Sequence, residues 1–199
     1  FSPAPAHEIS FVRQLPGREP AKDILIGNKL VARKLWTDAD TNALVAYTNA
    51  PVPTDGFLDR FSFFKEAPES ESRDFYALVL RPKRIPGEFD VLFVSEIFET
   101  TPLATGQIHH FSVEPIAVRA GDVIAHYGAG IPFNYVSPAD RNGVYVHSDA
   151  TDTFRLPVAG QTITLGVAPY PRIVEHHPSG GDSLRIYSFA AHFTPRGTK

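Results

Sequence analysis

The chain contains no cysteine and no methionine. Without thiols there can be neither a disulfide framework nor a thiolate metal site, although export from the cell does not require either. No apolar run approaches the roughly 18–20 residues of a membrane-spanning helix, and no Asn-x-Ser/Thr glycosylation acceptor occurs. An excess of either charge is also missing. Nineteen Lys and Arg stand against 22 Asp and Glu, a net charge of −3. That balance gives no field to gather nucleic acid or an anionic membrane. Phosphate-cradling glycine loops are absent. So are a cysteine nucleophile and a Gly-x-Ser-x-Gly elbow.

What is abundant points to strands. Fifteen Phe, seven Tyr and 18 Pro occur among 199 residues. Aromatics favour pleated, half-buried positions, and proline punctuates loops and edges. At 43% hydrophobic and 21% charged, the chain has the composition of a globular protein. We expect a flexible N-terminal arm over residues 1–7 and a single domain over 8–199. The chain begins at Phe1 without a methionine. We read this as a processed or trimmed product, with a removed signal peptide as the favoured explanation.

Turn signals divide the chain into roughly ten to twelve short extended runs. Ile24-Leu25-Ile26 and Leu30-Val31-Ala32 are two, hinged at Gly27-Asn28. Thr37 with Asp40 resembles a capping box, followed by a turn and a strand. In Phe57–Phe64, Phe57, Asp59, Phe61 and Phe63 form one face; Leu58, Arg60, Ser62 and Phe64 form the other. Lys65 opens an acidic loop. Phe75–Leu80 and Phe89–Phe98 are expected to pair antiparallel across a connection too long for a tight hairpin. Val144–His147, Thr153–Pro157 and Gln161–Ala168 are further strands. The last, Ser183–Phe193, has an apolar face of Tyr187, Phe189, Ala191 and Phe193 and should be central. No amphipathic helix is written. The pattern predicts an all-β, antiparallel, two-sheet, jelly-roll-like β-sandwich.

The stretch Gln107–Val136 organises the rest. Pro115–Arg119 is extended, Ala120-Gly121-Asp122 turns the chain, Val123–Tyr127 runs on as a strand, and Gly128-Ala129-Gly130 breaks it. Four of the eight histidines, His109, His110, His126 and His147, lie in or near it. His110, Glu114 and Gly121 follow the spacing of the first cupin motif, and Gly130-Ile131-Pro132 resembles the proline turn that comes later in that family. The position of the earlier motif histidine holds Ile108, and Phe133 stands where a second-motif histidine would. The resemblance implies a jelly-roll topology. It also implies, as an alternative function, a cupin-like metal-dependent enzyme with ligands drawn from His110, Glu114, His126 and His147.

Other features carry bland and functional readings together. His176-His177 lies in a loop, where both rings could converge on a transition metal or simply be solvated. Asp38-Ala39-Asp40-Thr41-Asn42 opens like a calcium loop, but Ala43 and Asn49 stand where such a loop needs Gly and Glu. A structural calcium or a capped turn both fit, and the acidic cluster Asp140–Asp152 reads the same way. Glu96, Glu99 and Glu114 are candidates for paired carboxylates by location only. Arg81-Pro82-Lys83-Arg84 reads as a solvated turn. The aromatics Trp36, Tyr127, Tyr135 and Tyr145 fall near strand ends, where they could stack on sugar rings or anchor a protein partner. Phe133 and Tyr170 fall there too. We therefore expect a secreted or cell-surface module without catalytic activity, binding a glycan or assembling with protein partners, including copies of itself.

Overall fold

A computed structural model describes residues 24–33, 43–66, 73–136, 145–147, 155–165, 175–176 and 182–197. Every regular element among them is a strand: β1 (Ile24–Gly27), β2 (Leu44–Ala46), β3 (Gly56–Lys65), β4 (Tyr76–Pro82), β5 (Glu88–Val94), β6 (Gln107–Val118), β7 (Val123–Tyr127), β8 (Phe133–Val136), β9 (Tyr145–His147), β10 (Thr162–Thr164), β11 (Glu175–His176), β12 (Asp182–Tyr187) and β13 (Phe189–Pro195). All pairs are antiparallel. One sheet has the order β1-β13-β3-β6, a second β10-β5-β4-β7-β2-β9, and a third β11-β12-β8. No helix long and apolar enough to cross a membrane occurs among the described residues. The all-β, antiparallel expectation is met.

The first two sheets pack face to face. Phe61, Phe63, Phe189, Ala191 and Phe193 from the four-stranded sheet meet Val45, Ala77, Val79 and Ile124 from the six-stranded one. Phe61 stacks on Phe189 at 5.8 Å and on Phe93 of the opposite sheet at 6.2 Å. Offset and edge-on ring pairs of this kind are why so many phenylalanines can share one core. As expected, the closing strand is interior to its sheet: β13 lies between β1 and β3. β1 approaches it closely at Gly27, where a Cβ would stand 2.6 Å from the Phe189 carbonyl oxygen.

The sequence reading is corrected in several places. β3 does not keep one period. Leu58, Phe61, Phe63 and Lys65 are buried, so the inward face switches at Asp59. Lys65 is the last residue of β3 and not part of a loop. Only 2% exposed, it donates from Nζ to the Thr100 and Leu103 carbonyl oxygens at 2.6 Å each. β4 runs on through Arg81 and Pro82, the latter opposite Phe89, so the connection to β5 is a short hairpin closed by Lys83 N–H donating to the Glu88 carbonyl. Leu30–Ala32 forms no strand. Its backbone is held by Ser188, whose Oγ accepts from the Val31 N–H and from Arg33 Nε. Arg155–Pro157 is not a strand either. The arm at 1–7, the turn around Asp38–Asn42 and the acidic cluster of Asp140, Asp149 and Asp152 lie outside the described residues.

Candidate functional site: an outer-face cleft on the four-stranded sheet

Asp59 is the residue that breaks the period of β3, and the site follows from it. Arg60 pairs with His192 of β13 and Leu58 with Phe193, so Asp59 is an extra residue between adjacent pairs. On the other side, Val113, Glu114 and Pro115 of β6 stand between the pairs Arg60–Ser112 and Leu58–Ile116. A bulge of this sort sharpens the local twist and re-aims side chains. Pro115, which has no N–H to offer a ladder, is accommodated at this irregularity of an edge strand. As a result Asp59 and Arg60 both border one open cleft of about 360 Å³, together with Ser112, Val113 and His192.

The polar groups of the cleft are positioned by the sheet. His192 alternates with the buried Ala191 and Phe193, so its ring stands on the outer side of β13. Its Nδ1–H donates to Asp59 Oδ1 at 2.7 Å, with the imidazole mostly covered and the carboxylate half-exposed. Ser112 and His110 lie on the same outer side of β6 as Glu114, and all three are exposed. His110 Nδ1 and the buried Ser62 Oγ share a 2.7 Å hydrogen bond across strands. A carboxylate, a guanidinium, a hydroxyl and an imidazole thus converge within one concavity. That set can donate to and accept from a ligand rich in hydroxyl groups and can also hold a charge.

His110 and Glu114 stand in the four-stranded sheet, whereas His126 and His147 stand in strands of the six-stranded one. His110 and Glu114 share the outer face of β6. His126 lies in the interior on the opposite sheet. There its Nδ1 and the Tyr47 hydroxyl share a 2.7 Å hydrogen bond, and its ring packs edge-on against Tyr187 at 4.9 Å. Burial pushes the His126 imidazole down to about 3 and raises the Tyr47 phenol well above its ordinary value. His147 stands in β9 opposite Leu44. Among the described residues no group of three or more His, Cys, Asp or Glu could hold a metal ion. His109 turns away from His110, as the strand period requires, and its Nε2–H donates to the Ala104 carbonyl at 2.7 Å.

The aromatic candidates also divide. Tyr127 is not a surface ring. It is 9% exposed and sits against Tyr76 at 6.3 Å. Phe133 is buried against Tyr187. Tyr135 stands in β8 opposite Arg185, and Tyr145 in β9 opposite Ala46. Trp36 lies outside the described residues, as do Tyr170 and His177. Sequence reasoning missed Asp59, Arg60, Ser112 and His192 as a group. The available signal was an Asp-Arg pair inside an otherwise aromatic strand. No protein-family model matches the chain, and no curated protein or solved structure matches it.

Proposed function

We propose that this chain is a jelly-roll module that binds a glycan in the cleft of Asp59, Arg60, Ser112, Val113 and His192, without catalysing a reaction, and that it acts outside the cell or at its surface. The topology part of this reading is supported by strand order. The eight strands β1 to β7 and β13 fall as β1-β13-β3-β6 against β5-β4-β7-β2. The first and last are neighbours and the chain passes repeatedly from sheet to sheet, as two interleaved Greek keys require. Fold alone does not assign function, so the binding reading rests on the cleft. Its single carrying observation is the convergence of donors and acceptors of mixed charge on an open, solvent-facing concavity, which suits an exposed polymer with many hydroxyl groups.

Binding of the full chain to a panel of immobilised polysaccharides tests this. At least one should retain the protein, and Ser112→Trp, which fills the cleft from an exposed position, should abolish retention while leaving the circular dichroism spectrum unchanged. Retention by Ser112→Trp equal to that of the parent would sink the assignment of the cleft. Retention by no glycan would sink the binding reading, and the cupin-like enzyme around His110 and Glu114 would then be tested by metal titration.

A further inference from the structure

We propose that two copies of this chain pair edge to edge through β6, antiparallel about a two-fold axis at Ser112, so that their four-stranded sheets join into one. Among the described residues β6 is paired on one side only, by β3, and it is the last strand of its sheet. An unpaired edge offers a row of main-chain donors and acceptors to another chain, and folds ordinarily blunt it by keeping it short or charged. The other outer strands of the two large sheets are short, with four residues in β1, three in β10 and three in β9. β6 has twelve residues, no lysine or arginine, and one proline, Pro115. Most of its positions are exposed, Ile108 at 43% among them. The ladder decides which main-chain groups reach the open edge. Phe64 N–H donates to the Ser188 carbonyl on the β13 side of β3, while the Lys65 carbonyl accepts from Gly106 N–H on the β6 side. Successive residues of a strand turn to opposite edges. Phe61, Phe63 and Lys65 therefore bond toward β6, and their partners Phe111, His109 and Gln107 bond back. Ile108, His110 and Ser112 direct their N–H and C=O away from β3.

A second copy is the occupant this edge fits. In an antiparallel pair centred on Ser112, the N–H and C=O of each Ser112 meet those of the other, the self-complementary contact that a two-fold axis requires. The same register sets His110 opposite Glu114 of the second copy, and Glu114 opposite its His110. The His110 ring takes Ser62 through Nδ1, which leaves Nε2 for an acceptor. The exposed Glu114 carboxylate has no partner among the described residues. A donor facing a carboxylate is a favourable cross-strand pair, and the axis makes it twice. On the inner side Phe111 comes opposite Val113 of the second copy. Both are only half-buried where they flank the core, and the pairing covers them. Pro115 comes opposite His109, whose own N–H is turned to β3, so its missing donor loses no bond across the axis. Sliding the pair by two residues toward the start of β6 sets Ile108 against Glu114 instead. Because Ser112 also borders the cleft, the two clefts meet at the axis, but the pairing does not depend on what they bind.

Sedimentation velocity of the full chain across a dilution series tests the inference. The mass should rise with concentration from that of one chain, 21.9 kDa, to that of two. Ser112→Pro removes the central N–H at the open edge and leaves the β3 ladder its bonds. That variant should stay at the single-chain mass with an unchanged circular dichroism spectrum. Glu114→Lys should weaken the dimer about tenfold, since the lost pair occurs twice across the axis. His110→Glu should weaken it similarly. The two substitutions together should restore the parent affinity, because the facing groups are then exchanged and still matched. A single-chain mass at about 100 µM protein overturns the inference. A dimer that Ser112→Pro leaves intact overturns it too, as does a double variant no tighter than the single ones. Should Ser112→Pro fail to fold, the charge exchange decides alone.

Discussion

The outer face of the six-stranded sheet is apolar and buried, with Leu44, Leu78, Leu80, Val123 and Ala125 joined to Phe89, Val91, Ile163 and Leu165 in a second hydrophobic cluster. The outer face of the four-stranded sheet carries His110, Ser112, Glu114, Arg60 and His192 instead, and most of it meets solvent. One sheet is therefore interior on both sides and the other on one. A strand buried on both faces reads as a continuous apolar run, and a half-buried strand alternates. Ala77-Leu78-Val79-Leu80 and Val123-Ile124-Ala125 are of the first kind; His110-Phe111-Ser112-Val113-Glu114 is of the second. The sheet that must alternate is the one free to carry chemistry on its outer side.

Truncation is the harshest test of this difference. Leu80→Ala, on the outer side of β4, should destabilise the protein by about 2–5 kcal/mol, because it removes apolar contact and leaves a cavity. That is the cost of a core position, though Leu80 does not face the space between the two sheets. Urea unfolding at neutral pH measures it. A cost below about 1 kcal/mol would show that the second cluster is loosely packed and that the two outer faces are less different than their composition suggests.

Acid probes the interior shared by both sheets. His126 is buried beside Tyr47, Tyr187 and Phe189 with a folded-state value of about 3 against an ordinary 6.5. The depressed value means that the unfolded chain takes up the proton first. Stability is thus fully present above pH 6.5 and is lost as the pH falls from there toward 3. The loss from this one group should reach about 3 kcal/mol at pH 4.5. Denaturant midpoints across pH 4.5 to 7.5 follow it, and His126→Phe should flatten that slope whatever its cost at neutral pH. An unchanged slope in that variant would assign the acid sensitivity to other groups.

A smaller effect is expected at the turn that joins the sheets between β6 and β7. Arg81 donates from Nε and Nη2 to the two carboxylate oxygens of Asp122 at 2.8 Å each. Asp122, which is 1% exposed, also accepts from the Arg119 N–H. This pair holds the turn against β4, and the bonding raises the Arg81 guanidinium further above its already high value. Arg81→Ala leaves a buried carboxylate short of donors and should cost about 1–3 kcal/mol, read as a lowered melting temperature. Arg81→Lys, which cannot reproduce the fork, should recover only part of it.

How much of this could be read beforehand follows from where local rules suffice. The apolar face of the last expected strand was legible at Tyr187, Phe189, Ala191 and Phe193 because the two-residue spacing carries across Ser188 and all four side chains join one core. The break at Ser188 was not, since it depends on a switch of partners from β8 to β1 and β3. Asp59 was assigned to the face of the phenylalanines because a two-residue period has no term for a bulge, and that one residue moves Arg60 and the rest of the cleft. Lys65 looked like a loop residue. Its burial depends on carbonyls 35 and 38 residues away, which no local pattern encodes. His126 stood out only as a histidine, and its neighbours across the core decide that it is held neutral.

The smallest stability effect belongs to the outer face of the four-stranded sheet, and it sharpens the comparison most. Ser112 is exposed on an edge strand, and its hydroxyl makes no hydrogen bond with any described residue. Ser112→Ala should therefore change stability by less than about 0.5 kcal/mol, against several for Leu80→Ala on the opposite outer face. The same substitution removes a hydroxyl from the cleft wall and should weaken glycan retention severalfold, the usual consequence of deleting one hydrogen-bonding partner. Paired melts and binding isotherms on this one variant separate the two roles a sheet surface can have. A position that is silent in folding and audible in binding belongs to a working surface. A Ser112→Ala variant that melts early while binding normally would mean that this face, too, is there to hold the fold together.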